Sequence, residues 1–236
     1  MADCNQMDRL KELFRYYDNC TMQEIPALYD GWSKEYNQDM DTLNYKVPKT
    51  VATLLREKIS GNPDAVLVLD VACGTGKIAK QLFDLGFRRF VGVDGSKGML
   101  EQAAKTGLYQ ELKLAMLGAE PLPAQKDMFD VVVIVSALDI LCAPVDVIRE
   151  LCSATKPGGL VCMARGDHAI TSETIRYKKD FESERQLMEE EEGLWKLLDI
   201  KHLDSYMTDL QTNPVSKVVE ERNITGNVYL YQKSTN

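Results

Sequence analysis

Apolar residues recur along the chain in two different patterns, which divide it into two parts. Within residues 8–60 they recur at spacings of three and four, as at Leu10, Leu13 and Phe14, which is typical of helices with one buried face. The run AVLVLDVA at residues 65–72 is instead apolar throughout apart from one acid, as in a strand buried on both faces. We therefore expect N-terminal helices followed by a core that begins with a buried strand.

The core continues with strands that alternate with helices. Further strands are predicted at residues 87–94, 112–116, 129–138 and 160–165, with helical patterns between them. Such alternation predicts parallel strands joined by right-handed crossovers. Nearer the end of the chain, the segments LDIKHLDSYMT and NVYLYQK alternate apolar with polar residues. We expect these two segments to pair as an antiparallel edge of the sheet.

Length and composition fit a single α/β domain. A chain of 236 residues with 44% hydrophobic residues can bury a full core. We assign residues 1–60 to N-terminal helices and a lid, residues 61–165 to a cofactor-binding core, and residues 166–236 to a helix and the antiparallel sheet edge. The longest apolar runs are strand-sized, well below the ~18 residues of a membrane span, so we expect no membrane partner.

Charge and cysteine content exclude several classes of ligand. The net charge is −8 and the sequence contains no dense stripe of lysine and arginine, so duplex nucleic acid is not an expected partner. The six cysteines form no C-x-x-C pair and are accompanied by two histidines, so no metal site is predicted. The first residues, MADCNQMDRLKELF, carry acids and no continuous apolar stretch, unlike a secretory or transit peptide. We expect a cytoplasmic protein, with the nucleus as a second compartment.

The segment VLDVACGTGKIA at residues 68–79 carries the strongest chemical signal. Asp70 ends the buried strand, and Gly74 and Gly76 allow the backbone to pass close to a ligand. A helix that begins near Lys77 offers the partly positive charge of its N-terminus. These features together predict a ligand-binding loop at the carboxyl end of the strand.

Taken alone, this loop fits two cofactors. Residues 74–79 also satisfy the G-x-G-x-x-G/A fingerprint, and Asp94 lies at the distance expected for a ribose-binding acid, so an NAD-dependent oxidoreductase is an alternative. Asp70 favours a cofactor that carries an amino acid, because its carboxylate would pair with an ammonium group and repel a pyrophosphate. In either cofactor, Asp94 can accept both ribose hydroxyls and Met99 can cover an adenine face.

Five short motifs in order carry a resemblance to a known family. DVACGTG, GVDGS-x-x-ML, GAEPLP, FDVVV and KPGGL resemble the motifs of class I, S-adenosylmethionine-dependent methyltransferases over residues 29–165. YDGWSKEYNQD, together with LDVACGTG, GVDGSKGMLEQA and TKPGGLVC, is similar to the vertebrate methyltransferase-like proteins of the Williams-Beuren region. The resemblance implies S-adenosylmethionine as cofactor. It also implies an α/β, doubly wound, Rossmann-like seven-stranded sheet, mostly parallel with an antiparallel edge strand.

The resemblance further implies a set of cofactor-binding residues. By motif, the strand-end acids would hold the methionyl part and the ribose, and the GAEPLP segment would flank the adenine. Residues after the fourth strand would lie beside the methyl donor and the acceptor, and N-terminal aromatic residues would close over the methionyl end. The aromatic residues Tyr29, Trp32 and Tyr36 fit ordinary helix packing equally well. The implied set is Trp32, Tyr36, Tyr45, Asp70, Ala72, Cys73, Gly74, Gly76, Asp94, Gly95, Ser96, Met99, Ala119, Glu120, Ser136 and Leu138.

Two positions depart from the family pattern. Ala72 replaces the usual first glycine of the loop, and Gly118 replaces an acid that often precedes the adenine-contacting alanine. Neither change removes a group that performs chemistry. The second change leaves recognition of the adenine amino group to backbone carbonyls or to Glu120.

The expected reaction is methyl transfer to a small-molecule or protein acceptor, which no motif identifies. The donor is already activated, so the protein needs only to align the reactants and exclude water, and no obligatory catalytic residue is expected. His168, Asp139 and Asp167 are weak candidates for a general base. The alternatives are the NAD-dependent oxidoreductase and a non-catalytic protein that binds S-adenosylmethionine. The sequence predicts no oligomeric state.

Overall fold

The computed structural model describes residues 4–168, 171–210 and 223–235. Four helices precede the first strand, and four more follow it. A short 3-10 turn, Pro63–Ala65, leads into that strand, and a π-helical turn, Leu187–Glu191, extends the last helix. The helices are α1 Cys4–Tyr17, α2 Ile25–Trp32, α3 Tyr36–Thr42, α4 Val47–Lys58, α5 Lys77–Asp84, α6 Lys97–Lys105, α7 Val147–Ala154 and α8 Ser172–Gln186.

Seven strands form one sheet in the order β3-β2-β1-β4-β5-β7-β6. The first five pair in parallel, whereas β7 runs antiparallel to both of its neighbours, β5 and β6. The predicted fold class is therefore confirmed, with the antiparallel strand inserted next to the edge. The strands are β1 Leu67–Val71, β2 Arg89–Asp94, β3 Tyr109–Leu114, β4 Phe129–Val135, β5 Thr155–Gly166, β6 Trp195–Thr208 and β7 Asn223–Lys233.

Strands β1 and β4 lie in the middle of the sheet, and their side chains are buried on both of its faces. Val68 belongs to the core under one face, and the next residue, Leu69, belongs to the core under the other. Val131 and Val132 on β4 alternate between the two cores in the same way. Burial of such a side chain stabilises the fold by about 1.5–3 kcal/mol. The continuous apolar runs in the sequence correspond to these two strands.

Several element boundaries differ from the prediction. The third strand lies at Tyr109–Leu114, earlier than expected, because its side chains are only partly buried and give a weak pattern. The N-terminal region forms separate helices, and Pro26 and Pro48 each lie in the first turn of one of them, where proline is tolerated. The sequence predicts a turn before the fifth strand, but β5 already begins at Thr155 and contains these residues. Its pairing with β4 is irregular there, and Gly158 has a φ of 78°.

The predicted antiparallel pair near the end of the chain is confirmed, since β6 and β7 pair along most of their length. Residues 211–222 of the predicted sheet-edge segment lie outside the described residues. Within the described part of the chain, no helix combines the length and apolar character that crossing a bilayer requires.

Candidate functional site

The carboxyl ends of β1, β2 and β4 meet at one edge of the sheet and open into a cleft. From β1, the sheet extends to one side through β2 and β3 and to the other side through β4 and β5. Open α/β sheets bind ligands at such a switch point between the two sides. The cleft contains a larger cavity of about 720 Å³ and a smaller one of about 340 Å³. Tyr36, Ala72, Gly74 and Val135 line both cavities. A single ligand can therefore extend from one cavity into the other.

Asp70 lies near the end of β1 and lines the smaller cavity. Its side chain is 1% exposed, and its Oδ2 accepts a hydrogen bond of 2.6 Å from the hydroxyl of Tyr109. Its Oδ1 accepts no hydrogen bond from any described residue. Burial raises the pKa of Asp70 to about 7, opposed by the Tyr109 hydrogen bond and supported by the nearby charge of Asp94. A ligand cation at this place would have a buried acceptor ready for it.

The loop after β1 adopts left-handed backbone conformations at three residues. Ala72, Gly74 and Gly76 have φ angles of 53°, 53° and 86°, a region that favours glycine. A Cβ atom on Gly74 would meet no atom within 4 Å, so this part of the loop borders open space. Helix α5 begins directly after the loop at Lys77. The loop therefore presents bare backbone and a helix N-terminus to the cleft.

Asp94 ends β2 and joins two loops of the site. Its Oδ1 accepts a hydrogen bond from the backbone N–H of Ser96, and its Oδ2 accepts one from the N–H of Gly74, both at 2.8 Å. Burial raises the pKa of this carboxyl group, and the two backbone hydrogen bonds lower it. Asp94 also lines the larger cavity. Each carboxylate oxygen keeps a further lone pair for a ligand.

Helices α2 and α3 cover the cleft, and we call them the lid. Tyr29 of α2 and Tyr36 of α3 line the larger cavity. Trp32 lies behind them: its ring stacks on Tyr29 at 5.8 Å and meets the edge of Tyr36 at 4.7 Å. Its indole N–H donates a hydrogen bond of 2.7 Å to the buried carboxylate of Asp39. Trp32 thus supports the two tyrosines that face the cleft.

Hydrogen bonds from the lid to the core hold it in place. Oδ1 of Asp30 accepts hydrogen bonds from the hydroxyl of Ser96 at 2.6 Å and from the N–H of Gly98 at 2.8 Å. The hydroxyl of Thr75 donates to Oδ1 of Asn37 at 2.7 Å. The lid therefore contacts both the loop after β1 and the start of α6.

Comparison with known proteins identifies the family. A family model described as a methyltransferase domain matches residues 63–220, which is more than half of the chain. The chain belongs to the methyltransferase domain family. The family predicted from the motifs is thereby confirmed.

The curated relatives of this methyltransferase domain are longer than the part of them that the chain matches. Methyltransferase-like protein 27 of Homo sapiens is 45% identical over 167 residues, which are 71% of this chain and 66% of that protein. A demethylmenaquinone methyltransferase of Bacillus licheniformis is 30% identical over 145 residues, which are 60% of this chain and 62% of that protein. The matched part of the chain thus spans just under two thirds of the length of these relatives.

Solved structures share the fold of this methyltransferase domain at low sequence identity. The [4+2]-cyclase SpnF has a TM-score of 0.63 at 15% identity, covering 92% of this chain and 98% of that one. An S-adenosylmethionine dependent methyltransferase from Mesorhizobium loti has a TM-score of 0.50 at 17% identity, covering 77% and 97%. The fold therefore accommodates more than one reaction, and the activity has to be argued from the site.

Most of the predicted cofactor-binding residues of the methyltransferase domain lie along the two cavities. The roles predicted for them remain predictions. The predicted residues that line the larger cavity, the smaller cavity or both are Tyr36, Tyr45, Asp70, Ala72, Cys73, Gly74, Asp94, Gly95, Ser96, Met99 and Ser136. The predicted residues that lie outside both linings are Trp32, Gly76, Ala119, Glu120 and Leu138.

The segment after β3 explains why Ala119 and Glu120 lie outside the linings. Oε1 of Glu120 accepts a hydrogen bond of 3.3 Å from the N–H of Met116, so the segment turns back on itself. Met116 and Leu117 line the larger cavity instead. The turn passes through Gly118 at a φ of 77°, where a Cβ atom would collide with the ring of Pro144. The acid expected at this position is therefore excluded by a neighbouring side chain.

Other lining residues were not predicted. Thr75 and Lys77, next to the glycines of the loop after β1, are polar. Several others are apolar side chains in or just before the lid and in the loop after β4, and their only sequence signal is an apolar residue outside a strand. Among them are Met22, Ile25, Pro26, Leu141 and Cys142.

The predicted general-base candidates are occupied by contacts within the fold. Asp139 accepts hydrogen bonds from the hydroxyl of Tyr17 at 3.0 Å and from the backbone N–H groups of residues 141 and 142. Asp167 contacts Lys178 at 2.9 Å. His168 is exposed, packs its ring against the edge of Tyr206 at 6.4 Å and lies outside both linings. A catalytic role for any of the three remains a prediction.

Proposed function

We propose that this methyltransferase domain transfers a methyl group from S-adenosylmethionine to a small-molecule or protein acceptor. Asp70 carries the proposal, because one oxygen of its buried carboxylate accepts no hydrogen bond from the described residues. A buried polar atom without a partner costs about 1–3 kcal/mol, and a ligand ammonium group would remove that cost. S-adenosylmethionine has such a group in its amino-acid part, whereas NAD has an anionic pyrophosphate.

The two cavities suit the two halves of this cofactor. The larger one is walled by apolar side chains such as Met99, Met116 and Leu117 next to the carboxylate of Asp94, which suits an adenine and a ribose. The smaller one contains Asp70 and Thr75, which suits the charged amino-acid part. The residues present therefore fit S-adenosylmethionine.

S-adenosylmethionine, when bound, supplies a methyl group already activated on a sulfonium. The remaining work of the chain is to hold the donor, align the acceptor and exclude water. The lid serves the last purpose, with Ile25 and Tyr29 over the larger cavity.

Titration calorimetry with S-adenosylmethionine, S-adenosylhomocysteine, NAD and NADH tests the choice of cofactor. We expect heat with the first two ligands and none with the dinucleotides. Asp70→Asn should weaken binding of both sulfur nucleosides, because a neutral amide cannot pair with their ammonium group. Binding of a dinucleotide in place of the sulfur nucleosides would favour the oxidoreductase and overturn this proposal.

A second experiment separates an enzyme from a protein that binds the cofactor without turnover. The folded protein is incubated with S-adenosylmethionine carrying a labelled methyl group and with fractionated cell extract. We expect label to enter a small-molecule or protein fraction. Binding without transfer to any fraction would favour the non-catalytic alternative.

The proposal includes a location in the cytoplasm, with the nucleus as second compartment, and no duplex nucleic acid or membrane partner. The net charge of −8 supports the absence of a nucleic-acid partner. Among the described residues, the cysteines with free thiols are Cys20, Cys73, Cys142, Cys152 and Cys162, as in reducing compartments. Fluorescence microscopy of the tagged chain tests the location, and secretion of the tagged chain would contradict it.

A further inference from the structure

Three hydroxyl groups from distant parts of the chain meet at the cleft. The hydroxyl of Tyr45 lies 2.6 Å from Oγ of Ser136, and the same Oγ is hydrogen-bonded to the hydroxyl of Tyr206. Tyr45 lies just before α4, Ser136 directly follows β4, and Tyr206 belongs to β6. Both tyrosines are buried. We call Tyr45, Ser136 and Tyr206 the hydroxyl cluster.

The sheet has space for the Tyr206 side chain to reach Ser136 from the strand at the edge of the sheet. Strands β7 and β5 separate β6 from β4, and Gly226 and Gly166 are direct partners across these two strands. A Cβ atom on Gly226 would collide with the Tyr206 ring, and one on Gly166 would lie 3.1 Å from it. The Tyr206 ring therefore fills the space left by a pair of glycines. The pairing register of β6 shifts between residues 203 and 207, an irregularity of the kind that redirects side chains near active sites.

Ser136 is held in a strained backbone conformation. Its φ is 62°, which costs a residue with a Cβ atom roughly 1–2 kcal/mol relative to ordinary backbone. Its N–H donates a hydrogen bond of 2.9 Å to the carbonyl of Ala164, which fixes this conformation. Strained residues of this kind concentrate at functional sites. In this backbone conformation, the Ser136 side chain faces the cleft and contacts both tyrosines.

The hydroxyl cluster spans the boundary between the two cavities. Ser136 lines the larger cavity, and Tyr45, its hydrogen-bond partner, lines the smaller one. In S-adenosylmethionine, the sulfonium joins the nucleoside to the amino-acid part. A donor that places these two parts in the two cavities therefore brings its sulfonium to the boundary.

Hydroxyl groups at this boundary suit a positive charge. Each hydroxyl oxygen has two lone pairs, and the two internal hydrogen bonds of the cluster use only part of them, so lone pairs remain to face a positive charge. Burial raises the pKa of Tyr45 and of Tyr206, so both remain neutral hydroxyls. Oriented neutral dipoles in a buried place interact with a charge more strongly than they would in water.

We propose that the hydroxyl cluster recognises the sulfonium charge, so that the site distinguishes S-adenosylmethionine from its neutral thioether product. Within the cluster, Tyr206 is a positioning residue that acts through Ser136. The inference rests on the proposed function, because it assumes that S-adenosylmethionine binds in the cleft.

The test compares the affinities of S-adenosylmethionine and S-adenosylhomocysteine, which differ at the sulfur by one methyl group and one positive charge. The affinities are measured by calorimetry for the wild type, Tyr206→Phe and Tyr45→Phe. We expect each variant to bind S-adenosylmethionine about tenfold more weakly, because one oriented hydroxyl dipole of the cluster is lost beside the positive charge, and to bind the product within about twofold. Tyr229→Phe is the matched control, because this buried tyrosine belongs to the core under the other face of the sheet and its hydroxyl donates to Glu182 instead of Ser136.

The outcomes are distinguishable from one another. An equal loss for both ligands assigns a purely structural role to the cluster and overturns the inference, as does an unchanged affinity for both. Failure of the wild type to bind either ligand overturns the proposed function itself. Binding of the product at wild-type strength also shows that a variant is folded.

Discussion

The hydroxyl of Tyr109 donates a hydrogen bond of 2.6 Å to Oδ2 of Asp70, beneath the loop that follows β1. Tyr109 begins β3, two strands away from Asp70 in the sheet. The same ring lies 3.2 Å from the place where a Cβ atom on Gly76 would stand. Tyr109 therefore occupies one oxygen of the carboxylate and the space under the loop, and leaves Oδ1 without a hydrogen bond from the described residues.

The first prediction is a pH dependence of cofactor binding. The pKa of Asp70 is raised to about 7 by burial, so the group is protonated below this pH and ionised above it. Only the ionised form pairs with an ammonium group, so binding of S-adenosylmethionine below pH 7 must displace a proton. We expect the affinity to fall as the pH drops below 7, by at most about tenfold per pH unit. Calorimetry between pH 5.5 and 8.5, in buffers of different ionisation enthalpy, measures the affinity and the released proton.

Asp70→Asn is the control for this prediction. The variant should bind weakly at every pH and without the transition near 7, because its amide does not titrate. An affinity of the wild type that stays constant from pH 5.5 to 8.5 would contradict the raised pKa or the role of Asp70 in binding.

The sequence predicts the parts of the site that depend on local pattern. Asp70 and Asp94 end buried strands, so apolar runs followed by an acid identify them, and the glycine spacing between them identifies the loop. Tyr206 could not be predicted in this way, because it reaches Ser136 across two other strands and over a pair of glycines. Such a contact depends on the register of strands that are far apart in the sequence.

The lid shows a different limit of sequence reasoning. The aromatic residues of the N-terminal segment indicate both a lid and ordinary packing, and the structure divides these two roles among neighbours. Tyr29 and Tyr36 line the cleft, whereas Trp32 donates to Asp39 behind them. All three lie on short helices, and the direction of each side chain depends on how those helices pack on the core.

The second prediction concerns Ala72, where the family usually has glycine. Its φ of 53° costs a residue with a Cβ atom about 1–2 kcal/mol, against about 0.4–1 kcal/mol that alanine gains by restricting the unfolded chain. Ala72→Gly should therefore raise the free energy of unfolding by about 0.5–1 kcal/mol, measured by urea denaturation. Ala137→Gly, at a cleft residue without a positive φ, should lower it. A loss of stability in both variants would show that the loop is not strained at Ala72.

The third prediction concerns the attachment of the lid. Oδ1 of Asp30 accepts two hydrogen bonds at the start of α6, from Ser96 and Gly98. Asp30→Ala removes both, and we expect a loss of about 1 kcal/mol in stability. Dissociation of S-adenosylhomocysteine, followed by stopped-flow fluorescence, should become several-fold faster because the lid opens more easily. Asp204→Ala, at a fully exposed aspartate, should change neither quantity, and an unchanged dissociation rate in Asp30→Ala would exclude the lid contact as a control of ligand release.

The fourth prediction explains the missing acid at residue 118. A Cβ atom there would collide with Pro144, and the φ of 77° adds strain for any residue other than glycine. Gly118→Asp should therefore lower the free energy of unfolding by about 2–4 kcal/mol. If the collision with Pro144 causes much of this loss, the double variant Gly118→Asp, Pro144→Ala should be more stable than expected. Its free energy of unfolding should exceed the value predicted by adding the two single changes by about 1–2 kcal/mol. Urea denaturation of the four proteins in this cycle gives the coupling energy. Strict additivity would assign the whole loss to the backbone conformation and remove Pro144 from the explanation.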